Sequence, residues 1–378
     1  MKVLFVDQSG KLGGAELSLV DVASAFGSDS SVALFEEGPF LSRLEAAGID
    51  VQLLKNRSIE SRKDHGLLQG LKTMMQALPL IQELTNLAKG YDIIYANTQK
   101  AFIFGALAGL IAKRPVVYHL RDILSSDHFS QININVAVFT ANHLSQIVIA
   151  NSHATAQAFI QSGGKPDLVK VIYNGFDPEM YQSSPADRSR LRHELKLENK
   201  FVIGQFSRLS PWKGQHILLN ALAQCPDSVV GVFVGAALFG EDEYVQQIKQ
   251  QVVDLGLTDR VHFLGFRSDI SDLMGACDVV AHTSTAPEPF GRVIIEGMLC
   301  GRPVIAADAG GAKELVTDHV TGWTVEPGNS QHLATAILEC FENQELRDSI
   351  SLQAKAHAIE HFHVHHLQTK IFTLISVL

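Results

Sequence analysis

Short apolar runs separated by longer mixed stretches set the rhythm of this chain. Val3-Leu4-Phe5-Val6, Ser31 to Phe35, Asp50 to Leu54, Ile93-Ile94-Tyr95-Ala96, Val116-Val117-Tyr118, Gln146-Ile147-Val148-Ile149 and Val169 to Tyr173 read as strands. Glu16 to Phe26 and Leu67 to Lys89 read as helices. Strand and helix in alternation predict a parallel sheet with helices on both faces. Asp177 to Arg190 is polar, with Pro178, Ser183, Ser184 and Pro185, and reads as an inter-domain connection. The pattern then restarts. Val202-Ile203-Gly204, Val230 to Val234, Val261-His262-Phe263, Asp278-Val279-Val280-Ala281 and Val304-Ile305-Ala306 are strands, and His216 to Leu222 and Val293 to Cys300 are helices. The expected class is α/β with two similar units in tandem, over 1–177 and 195–358.

Two glutamates carry the most chemistry. Glu288 and Glu296 stand in Pro287-Glu288-Pro289-Phe290-Gly291-Arg292-Val293-Ile294-Ile295-Glu296, with seven residues between them. Glu288 falls on a strand-to-helix loop, and Glu296 about two turns inside the helix. At roughly 1.5 Å rise per residue the carboxylates lie on the order of 10 Å apart. That is about the span between the two sugars of a sugar diphosphonucleoside. The backbone N–H groups of Phe290, Gly291 and Arg292 open the helix, where an anion is welcome. A solvated loop acid and a helix-face acid are the alternative. The basic counterpart lies upstream. Phe201-Val202-Ile203 runs into Gly204-Gln205-Phe206-Ser207-Arg208-Leu209-Ser210-Pro211-Trp212-Lys213-Gly214. Arg208 and Lys213 leave the carboxyl end of a strand, where open α/β sheets bind ligands. Together they could neutralise a departing diphosphate without a metal.

With Gly13-Gly14-Ala15-Glu16, Asn174-Gly175-Phe176-Asp177 and Gly265-Phe266, these motifs resemble the retaining glycosyltransferases of family 4, over essentially the whole chain. The resemblance implies the GT-B fold, two Rossmann-like domains facing each other across a cleft. It also implies a C-terminal helix, about 362–378, that returns to the first domain. Transfer of a sugar from a nucleotide-sugar to an acceptor hydroxyl follows. The donor, a UDP- or GDP-sugar, is a substrate, so no cofactor is expected. The second domain would bind the donor and the first a sugar, glycan or lipid-linked acceptor, in glycan, polysaccharide or glycolipid biosynthesis. Arg208 and Lys213 would stabilise the leaving diphosphate, Glu288 would hold hydroxyls of the donor sugar, and Glu296 those of the ribose. Backbone at Gly265-Phe266 would hold the base. Gly235, a second strand-end glycine, is expected near the diphosphate. A phosphorylase or epimerase on the same architecture, or a non-catalytic nucleotide or sugar sensor, is the rival.

In the first half, Gly10-Lys11-Leu12-Gly13-Gly14 follows a strand and opens a helix, so Gly13 and Gly14 allow close backbone approach to a phosphate or sugar. A dinucleotide fold with Glu36 or Glu37 on the ribose competes, but the glycine spacing is wrong for it. Many family relatives carry His-Asp at the strand end reached here by His119-Leu120-Arg121-Asp122. This chain has Arg121 before Asp122, while His119, two residues earlier, points to the same side. Either would serve the reacting sugar; an Arg121–Asp122 ion pair is the plain alternative. Asn151-Ser152-His153 reads mainly as a helix cap, with Ser152 at the N-cap and acceptor contact a minor role for His153.

Composition narrows the picture. The chain has 378 residues, 46% of them hydrophobic, enough for two cores. A net charge of −9 argues against nucleic acid as a partner. Cys225, Cys277, Cys300 and Cys340 are scattered, which suggests a reduced compartment and no zinc site. Glu241-Asp242-Glu243 reads as helix-start acids, and His361, His363, His365 and His366 as a solvated or packing helix start, so no metal is expected. The start lacks a signal peptide pattern and no run is apolar enough to span a bilayer. A cytoplasmic protein is expected. Leu67 to Leu87, with Lys72 and Lys89, and Ile123 to Leu144 could touch the inner face of a membrane, with core packing as the favoured alternative. The oligomeric state is not legible.

Overall fold

The computed structural model describes residues 1–55, 67–126, 129–238 and 240–378, and only the backbone of 67–76. The side chain of Lys72, Asp127 and His128 therefore lie outside the described residues. The chain forms two compact units, 1–175 with 364–378, and 176–363.

Among the described residues, unit 1 holds a seven-stranded sheet. Its strands are β1 (Val3–Asp7), β2 (Ser31–Leu34), β3 (Asp50–Leu53), β4 (Ile93–Ala96), β5 (Val116–Leu120), β6 (Ile147–Ala150) and β7 (Val169–Val171). They are parallel throughout, in the order β3-β2-β1-β4-β5-β6-β7. The strand order reverses between β1 and β4, so the carboxyl ends of those two parallel strands flank the switch point. Helix Val364–Ile375 adds Leu367, Ile371 and Ile375 to the core beside Leu19, Val22 and Phe26. Gln368 Nε2 fixes it further by donating to the Asp21 carbonyl at 2.8 Å. Helix Gln131–Leu144 buries Ile134, Ala137, Val138 and Ala141. Its Ile132, Val136 and Phe139, spaced for one stripe, are exposed.

Unit 2 repeats the theme with β8 (Phe201–Phe206), β9 (Val229–Val234), β10 (Val261–Gly265), β11 (Val279–His282), β12 (Val304–Ala307) and β13 (Trp323–Val325). The order is β10-β9-β8-β11-β12-β13, again parallel. One expectation fails here. The stretch read as a connection contains a helix, Pro185–Glu194, packed within unit 2. Ser184 accepts from the Asp187 amide as N-cap and Pro185 occupies the first turn. Those Pro and Ser residues were thus helix-start signals. Arg188 and Arg192 then reach Asp278, at 2.6 and 3.2 Å.

No described helix is long and apolar enough to cross a membrane. The described residues contain no group of three or more His, Cys, Asp or Glu that could hold a metal.

Candidate functional site

β8, β11 and the helix Arg292–Leu299 build the site of unit 2. β8 runs two residues past its expected end and buries Gln205, whose amide donates to the Lys213 carbonyl (2.8 Å) and the Thr283 hydroxyl (2.7 Å). Gly214 follows Lys213 at φ +71, and a Cβ there would run into the Thr283 carbonyl. Only glycine lets the Lys213 turn lie against the end of β11. Lys213 Nζ sits 4.0 Å above the Trp212 ring and 2.6 Å from Glu288 Oε2. The Arg208 backbone is anchored by Gln215, which donates to its carbonyl at 2.9 Å, and its guanidinium lies 5.6 Å from the Trp212 ring centre. Gly235, at φ +138, brings the end of β9 against the Ser207 carbonyl, and its amide donates to Gly265 at 2.8 Å. Gly235 thereby braces the Arg208 loop.

Glu288 is the centre of this arrangement. Lys213, the Ser284 hydroxyl (2.9 Å) and His282 Nε2 (3.3 Å) all meet its Oε2. Oε1 has no hydrogen-bond partner among the described residues. Burial alone would raise this carboxyl, but the Lys213 charge and the His282 hydrogen bond hold it well below the ordinary carboxylate range. It is a fixed anion with one oxygen occupied and one presented.

Glu296 lies on helix Arg292–Leu299, which starts one residue before the expected start. It is the fifth residue, about one turn in rather than two, so its axial offset from the helix start is only about 6 Å. Its Oε1 accepts from Arg292 Nε (3.2 Å) and Tyr181 (3.4 Å), which leaves Oε2 without a partner among the described residues. Gly291, at φ +94, opens the helix. The Phe290 ring is buried and stacked on Phe176, and Arg292 lies 4.5 Å over that same Phe176 ring. Phe290 can thus address a ligand only through its backbone. Phe266, beside Gly265 at the end of β10, is 74% exposed.

In unit 1 the candidates gather at the switch point. Gly13 caps helix Gly14–Ala23, and a Cβ on it would come 2.7 Å from Glu16 Oε2. Asn97, just past β4, donates to Asp7 Oδ2 (2.6 Å) and the Ala15 carbonyl (3.1 Å) and accepts from Arg121 Nε (2.5 Å). Arg121 also donates to Asn174 (2.9 Å) and approaches His119 Nδ1 (3.2 Å). His119 is wholly buried and hydrogen-bonded through Nδ1 to Tyr95, and its Nε2 has no partner among the described residues. Burial and the Arg121 charge push its pKa well down, so the ring is neutral. The two residues do share a side, with Arg121 in front and His119 behind. Burial raises Asp7 to about 6, and burial with the Asp7 charge raises Glu16 to about 7. At helix His153–Gln161, Ser152 accepts from the Thr155 amide at 3.0 Å and His153 packs edge-on to Tyr173.

Asp7, Asn97, His282 and Ser284 escaped the sequence reading. The signal was there: a single polar residue ending an apolar run, as in Val3-Leu4-Phe5-Val6-Asp7 and Ile93-Ile94-Tyr95-Ala96-Asn97.

Two strand-end sites on parallel sheets suit a nucleotide-sugar enzyme, and comparison with known proteins decides the family. Residues 12–180 match Glycosyltransferase Family 4, and residues 187–357 match Glycosyl transferases group 1. Anabaena HepE, solved in complex with UDP and glucose, is 53% identical over the whole of both chains, with a TM-score of 0.93. This chain belongs to the family 4 glycosyltransferases. A second HepE structure, with UDP-glucose, superposes on this glycosyltransferase with a TM-score of 0.94 and 52% identity, again over both whole chains. The fold is thus GT-B. YtcC of Bacillus subtilis is 32% identical over 221 residues, 55% of this chain and 54% of YtcC. The D-inositol 3-phosphate glycosyltransferase of Mycobacterium leprae is 35% identical over 197 residues, 50% of this chain and 43% of that protein. The glycosyltransferase thus spans about half the length of these two relatives.

Proposed function

We propose that this chain moves a sugar from a UDP-sugar to an acceptor hydroxyl, with retained anomeric configuration and without a divalent metal, in building a glycan, polysaccharide or glycolipid. The observation that carries this reading is Glu288, pinned through one oxygen and open at the other. A carboxylate engaged with a lysine and two further donors is suited to accept a hydroxyl of the donor sugar rather than to attack its anomeric carbon. Lys213 has three N–H donors, enough for Glu288 and a phosphate oxygen together. With Arg208 it supplies two fixed charges for the departing diphosphate, the work a metal does elsewhere. Glu296 presents its open oxygen to the ribose. UDP rather than GDP is favoured by the HepE complexes with UDP and UDP-glucose. In unit 1, Arg121 is the group that meets a ligand, and His119 supports it from behind.

The acceptor is a sugar, glycan or lipid-linked glycan. Work on a lipid-linked acceptor places the enzyme in the cytoplasm at the inner membrane face, with Ile132, Val136 and Phe139 as the contact.

The test is turnover of UDP-glucose with and without a chelator, and NMR assignment of the product anomer. An axial donor bond should give an axial product, at a rate the chelator leaves unchanged. An inverted product, or reversible loss of activity in the chelator, would sink the retaining or the metal-free part of the reading.

A further inference from the structure

The hydrogen bonds on Glu288 are unequal in a way that ion pairing does not require. Lys213 would neutralise the carboxylate through either oxygen, because an ammonium is a compact charge with rotatable donors. The terminal torsion of a glutamate is broad and roughly two-fold, so the oxygens could exchange. Here three donors choose the same one. The main chain of Glu288 is already fixed, since it bridges Gly310 and its carbonyl accepts from the Gly311 amide at 2.6 Å. The side-chain torsion is what remains to be set.

His282 and Ser284 have the geometry to set it. Both are buried, His282 as the last residue of β11 and Ser284 two residues on. An ionised carboxylate only accepts, so the His282 proton must be on Nε2 and the Ser284 hydrogen must point to Oε2. The Ser284 oxygen lies 3.2 Å from His282 Nε2, close enough for the two donors to be held together. His282 Nδ1 is buried with no partner among the described residues. A ring kept for the stability of the strand would be held through both nitrogens; this one is engaged through Nε2 alone.

We propose that His282 and Ser284 are positioning residues. They saturate Oε2 of Glu288 so that only Oε1 can accept a hydroxyl, and they thereby set which arrangement of sugar hydroxyls the enzyme accepts. The proposal rests on the reading that Glu288 meets the donor sugar, and it assigns the specificity of that meeting to two residues behind it.

The experiment compares Ser284→Ala, Ser284→Thr, His282→Leu, His282→Gln and Glu288→Ala, with UDP-glucose and its epimer UDP-galactose as donors. Ser284→Ala and His282→Leu should each lower kcat by about tenfold or more, the scale of one lost hydrogen bond to a charge. They should also narrow the preference between the two donors, while UDP affinity, read by calorimetry, stays within about twofold, less than one hydrogen bond is worth. Ser284→Thr keeps the hydroxyl, and His282→Gln puts an amide N–H near the place of Nε2, so both should recover most of kcat and the donor preference. Wild-type kcat and donor preference in Ser284→Ala and His282→Leu, with Glu288→Ala inactive, would overturn the inference and leave the role of Glu288 standing. Losses in step with the melting temperature that Thr and Gln do not repair would reduce both residues to packing and overturn it equally. Wild-type turnover in Glu288→Ala would remove the underlying reading, and the inference with it.

Discussion

The two units solve one topological problem with opposite electrostatics. Each places carboxylates at the carboxyl ends of parallel strands, where helix starts and loops converge. In unit 2, Glu288 has a lysine and two further donors on one oxygen and is held far below the usual carboxylate range. In unit 1, Asp7 and Glu16 are as deeply placed, but Arg121, the cation that acts on both, is spread over Asn97, Asn174 and His119. Desolvation wins there, and both acids hold their protons towards neutrality. The difference teaches that burial does not decide the charge of a strand-end acid. Direct pairing does. Unit 2 carries a permanent anion fit for a fixed contact, and unit 1 a titratable pair.

Removing the pairing cation should break the contrast most severely. Lys213→Ala takes away the charge paired with Glu288 and, on the proposed function, one of the two charges for the diphosphate, and should cut kcat by on the order of 10²-fold or more. Arg208→Ala should lose a comparable factor while leaving Glu288 ionised. Both variants should remain folded by circular dichroism, since both side chains leave strand-end loops. Wild-type turnover in either would end the assignment.

The two glutamates of unit 2 separate at the next level. Glu296→Ala should weaken UDP binding by about 1.5–3 kcal/mol, the worth of a hydrogen bond to a charged group. Glu288→Ala should leave UDP affinity nearly unchanged and lower turnover instead. Calorimetric titration of both with UDP reads the difference, and the reverse pattern would mean that the two carboxylates are assigned to the wrong ends of the donor.

A gentler change sharpens the unit 1 side. Folded Asp7 and Glu16 titrate near 6 and 7, against ordinary values of 3.8 and 4.5. Across that window the native state binds more protons than the unfolded chain, so stability falls as pH rises. Glu16→Gln cannot ionise. Its melting midpoint should therefore fall less than that of the wild type between about pH 5 and about pH 8, as linkage requires. Parallel profiles would show that Glu16 is charged throughout. The smallest effect belongs outside both sites. Phe139→Ser, on an exposed stripe, should change stability by no more than about 0.5 kcal/mol. It should still reduce co-sedimentation with anionic lipid vesicles; unchanged co-sedimentation would remove the membrane contact from the proposed function.

The alternation of elements was legible because strands buried on both faces are nearly unbroken apolar runs, and helices between them are not. Lys213 and Glu288 were legible because each follows a strand in a motif, Arg208 with Lys213-Gly214 and Glu288 with Glu296, whose spacing and order resemble the family. His282 and Ser284 were not. A histidine or serine after an apolar run looks the same whether it meets solvent or a carboxylate, and only coordinates show three donors on one oxygen. Pro185–Glu194 misled for a related reason: Pro and Ser mark helix starts as well as links, and the arginines that settle the matter find Asp278 far along the chain.

Helix Val364–Ile375 gives the first unit an unusual history. Its Leu367, Ile371 and Ile375 complete a core whose other members are made at the start of synthesis. At about 5–20 residues per second, the ribosome spends on the order of ten seconds or more on Phe176–His363 before those three side chains emerge. Until then the nascent first unit carries an open apolar groove over Leu19, Val22 and Phe26, while the second unit already has every residue it needs. The unit synthesised first is thus the last to close.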